Sequence, residues 1–229
     1  MESSKYLEDI ASIKTMMSKS SRFMSLSGLS GILAGLYALI GAYIAYRLLA
    51  FNTVPAYILE KSRDNTTVNL QYGLENPLNI FSYGYSNTLA GQLIITGLIV
   101  LIMALVTGGF LTLKKARKNN ERLWDSSSKR LLINFAVPLI TGGIFSIVLI
   151  QYGIVGLIAP ATLIFYGLAL INASKYTLGD IKYLGLANVI IGLVATQFIG
   201  YGLYFWALGF GIFHIIYGTI MYRKYDKGN

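Results

Sequence analysis

The chain has 229 residues, of which 55% are hydrophobic and only 13% are charged. Soluble domains usually carry about 25% charged residues, so this composition indicates a membrane protein. The net charge of +9 comes from basic residues placed between long uncharged runs, which argues against a nucleic-acid-binding domain. The lack of cysteine excludes disulfides, thiolate metal sites and cysteine nucleophiles.

The N-terminal segment, residues 1–25, has the pattern of an amphipathic helix. Tyr6, Ile10, Ile13 and Met17 share one helical face, and charged residues occupy the rest. We expect a cytoplasmic helix that lies on the inner leaflet, packs under the membrane bundle or docks a cytosolic protein, in that order of preference.

Four uncharged runs follow, and each is long enough to cross a membrane, which takes about 20 apolar residues. The third and fourth, Leu131–Ser174 and Tyr183–Tyr222, could each hold two helices. Each contains a glycine-bearing turn signal near its middle, at 151–153 and at 200–202. We therefore predict an all-α polytopic protein with a compact six-helix bundle over residues 26–222. The predicted spans are about 26–48, 87–113, 131–151, 154–173, 180–199 and 203–222.

The distribution of Lys and Arg predicts the orientation of these spans. Sixteen basic residues fall on the side that holds both chain ends, the 114–130 loop and the 174–182 turn, against three on the other side. Basic residues are enriched in cytoplasmic loops. We therefore expect a cytoplasmic N-terminus, a cytoplasmic tail at 223–229 and an extracytoplasmic loop at 51–86, in a plasma membrane or bacterial inner membrane.

Small residues recur at helical spacing within the spans. They allow close approach of helices in lipid, where apolar contacts alone give little association. Most are expected to pack helices within the bundle, and homo-oligomerisation is the lesser alternative. The predicted packing glycines are Gly31, Gly35, Gly97, Gly192, Gly211 and Gly218.

No Asp, Glu, Lys or Arg lies in the middle of a predicted span. Ion-coupled transporters, proton pumps and intramembrane hydrolases usually keep such a residue despite its cost. This pattern argues against active transport and against an enzyme, and no motif for a cofactor or metal is present. The sequence therefore predicts a protein without catalytic residues, cofactor or metal.

His214 is the one ionisable residue predicted near the middle of a span, on the face that also carries Gly211 and Gly218. A neutral histidine bonded to a neighbouring helix is the favoured interpretation, and a proton-sensitive or pore-lining group is the alternative. Amide side chains nearer the span ends could line a polar path, although interhelical bonding is favoured. These candidates are Asn134, Asn172, Asn188 and Gln197.

The basic cluster in the 114–130 loop could contact anionic lipid headgroups. It consists of Lys114, Lys115, Arg117 and Lys118. The same residues would be required to fix the topology, which is the favoured interpretation.

Two functions remain open on the sequence. The first is a non-enzymatic membrane scaffold or sensor that acts through helix faces and cytoplasmic elements, with a cytosolic partner or a second copy. The second is a passive channel or facilitator for a small solute. The first is slightly favoured because coupling charges are missing.

Overall fold

The computed structural model describes residues 27–52, 89–118 and 124–226, and within these ranges the chain is helical and has no strand. The predicted N-terminal helix, the 51–86 loop from residue 53 onward and the last three residues of the tail lie outside the described residues. The 114–130 loop is described except for residues 119–123. Predictions about the undescribed segments stay predictions.

The described helices begin, in chain order, with α1 (Gly28–Asn52), α2 (Leu89–Lys118), α3 (Ser126–Gln151), α4 (Ile158–Ala173) and α5 (Ile181–Ala195). Then comes a long rod built from α6 (Gly202–Trp206), a π-helical segment (Ala207–Ile212), α7 (Phe213–Met221) and a second π segment (Tyr222–Asp226). We call this rod the C-terminal helix (Gly202–Asp226). From α2 onward the helices follow one another closely along the chain, whereas residues 53–88 separate α1 from α2.

Five of these helices are long and apolar enough to cross a bilayer, as expected for an integral membrane protein. The exception is α5, whose 15 residues extend about 22 Å at 1.5 Å per residue, short of a hydrocarbon core of about 30 Å. The prediction of a span over 180–199 is therefore too long. The chain leaves the α-helix after Ala195 and makes successive i→i−3 turns, and Gly200 adopts a φ of 101°.

Local signals set the helix ends. α3 begins five residues before the predicted span because Asp125 caps it. The Asp125 carboxylate accepts from the Ser128 N–H at 2.8 Å, and the Ser128 hydroxyl accepts from the Asp125 N–H at 3.0 Å, a reciprocal capping box. At the other end of α3, Gly153 turns the chain with a φ of 71°, a left-handed conformation that favours glycine.

α2 packs mainly on α1, and α1 packs on the C-terminal helix. The C-terminal helix contacts both α4 and α5, which pack on each other, and α4 also contacts α3. Glycine allows a close crossing between α4 and α5. A methyl group on Gly167 would lie 2.5 Å from the Gly185 oxygen, and one on Gly185 would lie 2.7 Å from the Gly167 oxygen.

Candidate functional site

The C-terminal helix widens at its π segment, where three neighbours converge on two glycines. Gly211 faces α1, because a methyl group there would lie 2.4 Å from Leu39 Cδ2. Gly209 faces α4 and α5, where the same test gives 2.4 Å to Leu163 Cδ2 and 2.6 Å to Asn188 Oδ1. π segments occur often at functional sites. In this one, two polar side chains, those of Asn188 and His214, contact Gly209.

His214 lies at the middle of the C-terminal helix and is buried. Its Nδ1 is 2.9 Å from the Gly209 oxygen, and its Nε2 is 2.6 Å from the Tyr166 hydroxyl of α4. The Gly209 oxygen can only accept, so Nδ1 carries a proton. A second ring proton would create a buried charge, and neither the Tyr166 hydroxyl nor the Gly209 oxygen carries a charge to balance it, which is costly. The ring is therefore neutral, and Nε2 accepts a hydrogen bond from the Tyr166 O–H.

Aromatic rings surround this pair. Tyr166 is 4.9 Å from the Phe210 ring and 6.1 Å from the Phe135 ring of α3, where the contact is edge to face. Trp206 continues the row at 5.0 Å from Phe210. Such separations lie in the favourable range for aromatic pairs. The bonded pair is thus held by rings from α3 and from the C-terminal helix.

Asn188 of α5 is the second predicted polar residue beside Gly209, and none of its side chain is exposed. Its Nδ2 donates to the Leu184 oxygen at 2.9 Å, while Oδ1 has no hydrogen-bond partner in the described part of the chain. Because Oδ1 points at the Gly209 backbone, a weak Cα–H···O contact of the kind seen where helices cross is its available partner.

The other predicted amides lie away from this cluster. Asn134 donates to the Arg130 oxygen of its own helix, and Asn172 donates to the Asn134 oxygen at 3.0 Å, which links α4 to the start of α3. Gln197 is exposed after α5 and donates to the Thr196 hydroxyl at 3.2 Å. The structure brings together His214 and Asn188, and it does not place the other three amides on a common path.

Most of the predicted packing glycines lie at helix crossings. A methyl group on Gly31 would be 3.2 Å from Gly218 Cα, and one on Gly35 would be 2.7 Å from the Gly211 oxygen, so these four join α1 to the C-terminal helix. Gly192 meets Ile164 of α4 at 2.7 Å. By contrast, Gly97 of α2 has no described atom within 4 Å of a methyl position, so α2 does not use it for packing on another described helix.

The basic cluster does not act as a unit. Lys115 forms an ion pair with Asp226 at 2.5 Å, with both side chains largely buried. The three remaining members, Lys114, Arg117 and Lys118, are exposed.

The carboxylates with the most contacts were not singled out as site residues by the sequence. Asp180 accepts from Lys224 at 2.6 Å and from the Tyr225 hydroxyl at 3.2 Å. The hydrogen bond from Lys224 lowers the pKa of Asp180 below its ordinary range. Asp180 directly precedes α5, but its side chain makes no cap bond there. It binds the end of the C-terminal helix instead.

Chemically, the cluster around Gly209 offers two features. One is the hydrogen-bonded chain from Tyr166 through His214 to the Gly209 oxygen, and the other is the buried amide oxygen of Asn188. Within the described residues, no group of three metal-ligating side chains occurs. In the comparisons with known proteins, the chain matches no protein-family model, no curated protein and no solved structure.

Proposed function

We propose that this integral membrane protein is a non-enzymatic scaffold that crosses the bilayer six times with both ends in the cytoplasm. α5 is the short sixth crossing, extended by the turns on either side of it. Two ion pairs support this arrangement because they join chain positions that six crossings would place on one face. Lys115 at the end of α2 meets Asp226, and Asp180 before α5 meets Lys224. The Lys and Arg bias supports a cytoplasmic position for that face.

One observation favours a scaffold over a facilitator. Several serine and threonine hydroxyls inside the described helices donate back to carbonyl oxygens of their own helix, as Ser146 does to Gly142 and Thr219 to Ile215, at 2.7–2.8 Å. Thr96, Thr107 and Thr141 do the same. Side chains that spend their donor in this way are poor ligands for a passing solute. With His214 also engaged, the polar residues act in packing.

The scaffold offers α2 as its association surface. No residue in the most apolar 18-residue window of this helix is buried. Gly97, Gly108 and Gly109 have no described atom within 4 Å of their methyl positions. A glycine in a helix costs about 1 kcal/mol relative to alanine, and close helix contact is the usual return in lipid. We take the partner to be a second copy of this chain, since most oligomers are symmetric pairs.

Cytoplasmic elements complete the proposal. Lys114, Arg117 and Lys118 are exposed at the end of α2, and each basic residue near an anionic leaflet contributes about 1 kcal/mol of attraction. We propose that they contact anionic headgroups, and that segment 1–25 lies on the same leaflet.

Reconstituted liposomes test the scaffold against the facilitator. Osmotic swelling in glycerol or urea should match that of protein-free vesicles, because the hydroxyl donors named above are bonded within their own helices. Faster swelling that depends on protein density would overturn the scaffold and establish a facilitator.

Dilution of the labelled protein in lipid tests the α2 surface. Energy transfer between copies should persist at low density and fall in Gly97→Leu. Gly143→Leu on α3 is the matched control, since Gly143 also has open space at its methyl position. Transfer that disappears on dilution of the wild type, or falls equally in both variants, would reject α2 pairing and leave a heterologous partner.

A further inference from the structure

Asp226 is the last residue of the C-terminal helix, and its carboxylate contacts two other helices. Oδ2 accepts from the Gly28 N–H at 2.9 Å and from the Ser27 hydroxyl at 3.1 Å, while Oδ1 pairs with Lys115 at 2.5 Å. A residue almost 200 positions away therefore caps the start of α1 and holds the end of α2. The first N–H groups of a helix have no partner within it, so a carboxylate is well suited to this place.

The two ion pairs on this face differ in burial. The side chains of Lys115 and Asp226 are 16% and 10% exposed, against 52% and 32% for Lys224 and Asp180. Exposed pairs are screened by solvent and contribute little, whereas removing one partner of a buried pair leaves a charge without compensation. The Asp226 contact is therefore the stronger constraint on helix position.

The Asp226 contact matters more for the position of α2 than comparable contacts matter for the positions of the neighbouring helices. Its apolar window has no buried residue, and it packs mainly on α1. Near the end that Asp226 binds, α2 is covered by its neighbours, since Ala116, next to Lys115, is fully buried. The helix is thus anchored where Asp226 binds it and loosely packed along much of its length.

We propose that Asp226 is a latch that fixes the cytoplasmic end of α2 to the first and last helices of the chain. Closed, the latch caps α1 and positions α2. Open, it frees the end of α2 and frays the start of α1, the point at which segment 1–26 joins the bundle. The latch rests on contacts within one chain and holds whether or not α2 has a partner.

Spin labels test the latch on the full chain in lipid nanodiscs. Lys118→Cys on α2 and Lys175→Cys after α4 are both exposed and take labels selectively because the chain has no cysteine. In the otherwise wild-type chain, the distribution of distances between the two labels should have one narrow peak. Lys115→Gln should broaden it, because α2 loses its anchor while the α1 cap remains. Asp180→Asn, which breaks the exposed pair, is the matched control and should leave the distance narrow.

Hydrogen exchange separates the two parts of the latch. Asp226→Ala should speed exchange of the Gly28 amide by roughly two- to thirtyfold, the range expected from loss of a helix cap. Lys115→Gln should not. The exchanged pair Lys115→Asp with Asp226→Lys should narrow the label distance again yet leave Gly28 unprotected, since lysine cannot accept a hydrogen bond. Two results would each overturn the proposal. One is a label-distance distribution of equal width in Lys115→Gln and wild type, and the other is an unchanged exchange rate of the Gly28 amide in Asp226→Ala.

Discussion

The Tyr166 hydroxyl lies 2.6 Å from Nε2 of His214, and the opposite ring nitrogen lies 2.9 Å from the Gly209 oxygen. Nitrogen NMR of labelled histidine should therefore show Nδ1 protonated and Nε2 as an acceptor. The spectrum is unambiguous because the chain has a single histidine. A ring with the proton on Nε2 would contradict this arrangement.

Removal of the Tyr166 hydroxyl tests the energy of the same bond. Tyr166→Phe should lower the free energy of unfolding by about 0.6–2 kcal/mol, the range for interhelical hydrogen bonds in membranes. In the His214→Leu background the same change should cost much less, since the bond is already lost. Tyr204→Phe, at an exposed position, is the control. Additive effects of Tyr166→Phe and His214→Leu would show that the two side chains do not interact.

The α4–α5 crossing should not tolerate a methyl group. Gly185→Ala places a carbon 2.7 Å from the Gly167 oxygen, and overpacking of this kind typically costs 1–3 kcal/mol. Gly143→Ala, with open space at the methyl position, should be neutral or slightly stabilising. Thermal unfolding in detergent compares the two. Equal unfolding temperatures would mean that the helices approach less closely than described.

Stability should depend on pH through Asp180. Lys224 lowers the pKa of this carboxyl in the folded chain, whereas the unfolded value is about 3.9. A depressed folded pKa gives stability that is present above the unfolded pKa and lost as pH falls through the folded one. The difference in unfolding temperature between wild type and Asp180→Asn should therefore be constant near neutral pH and shrink below about pH 4. A difference that grows on acidification would reverse the assignment.

Thiol labelling tests the six crossings. Tyr152, Tyr201, Trp124 and Lys175 are all exposed, and six crossings would place the first two outside the cell and the last two in the cytoplasm. Single cysteines at the first two should react with an impermeant reagent in intact cells, and those at the last two should react only after lysis. Protection of Tyr201→Cys would show that α5 does not cross, and labelling of Trp124→Cys from outside would invert the orientation.

Hydropathy and glycine spacing predicted the helical membrane fold, because both depend on short stretches of sequence. The contact between the start of the first helix and the end of the last one was not predicted. Asp226 lies in a basic tail where a single carboxylate carries no pattern, and its partners Ser27 and Lys115 are far away in sequence. The end of α5 was missed for a related reason, since apolar residues after Ala195 extend the hydropathy signal even though the backbone there turns.

Tyr166 was also missed as part of the site. Seventeen tyrosines occur in the chain, and tyrosine is common near membrane interfaces. What distinguishes Tyr166 is its position one residue before Gly167, at the α4–α5 crossing. That relation is visible only once the helices are packed.

The mutual contact of Gly167 and Gly185 has a consequence for how this chain can vary. Each glycine faces the carbonyl oxygen of the other, and a carbonyl is present whatever residue stands there. A bulkier residue on one helix therefore cannot be accommodated by a smaller one opposite, because neither glycine has a side chain left to shorten. A substitution at one of these two positions therefore cannot be compensated by a substitution at the other. At a contact such as Gly142 with Phe165, by contrast, a larger residue in place of the glycine can be accepted if the phenyl ring is replaced by a smaller side chain.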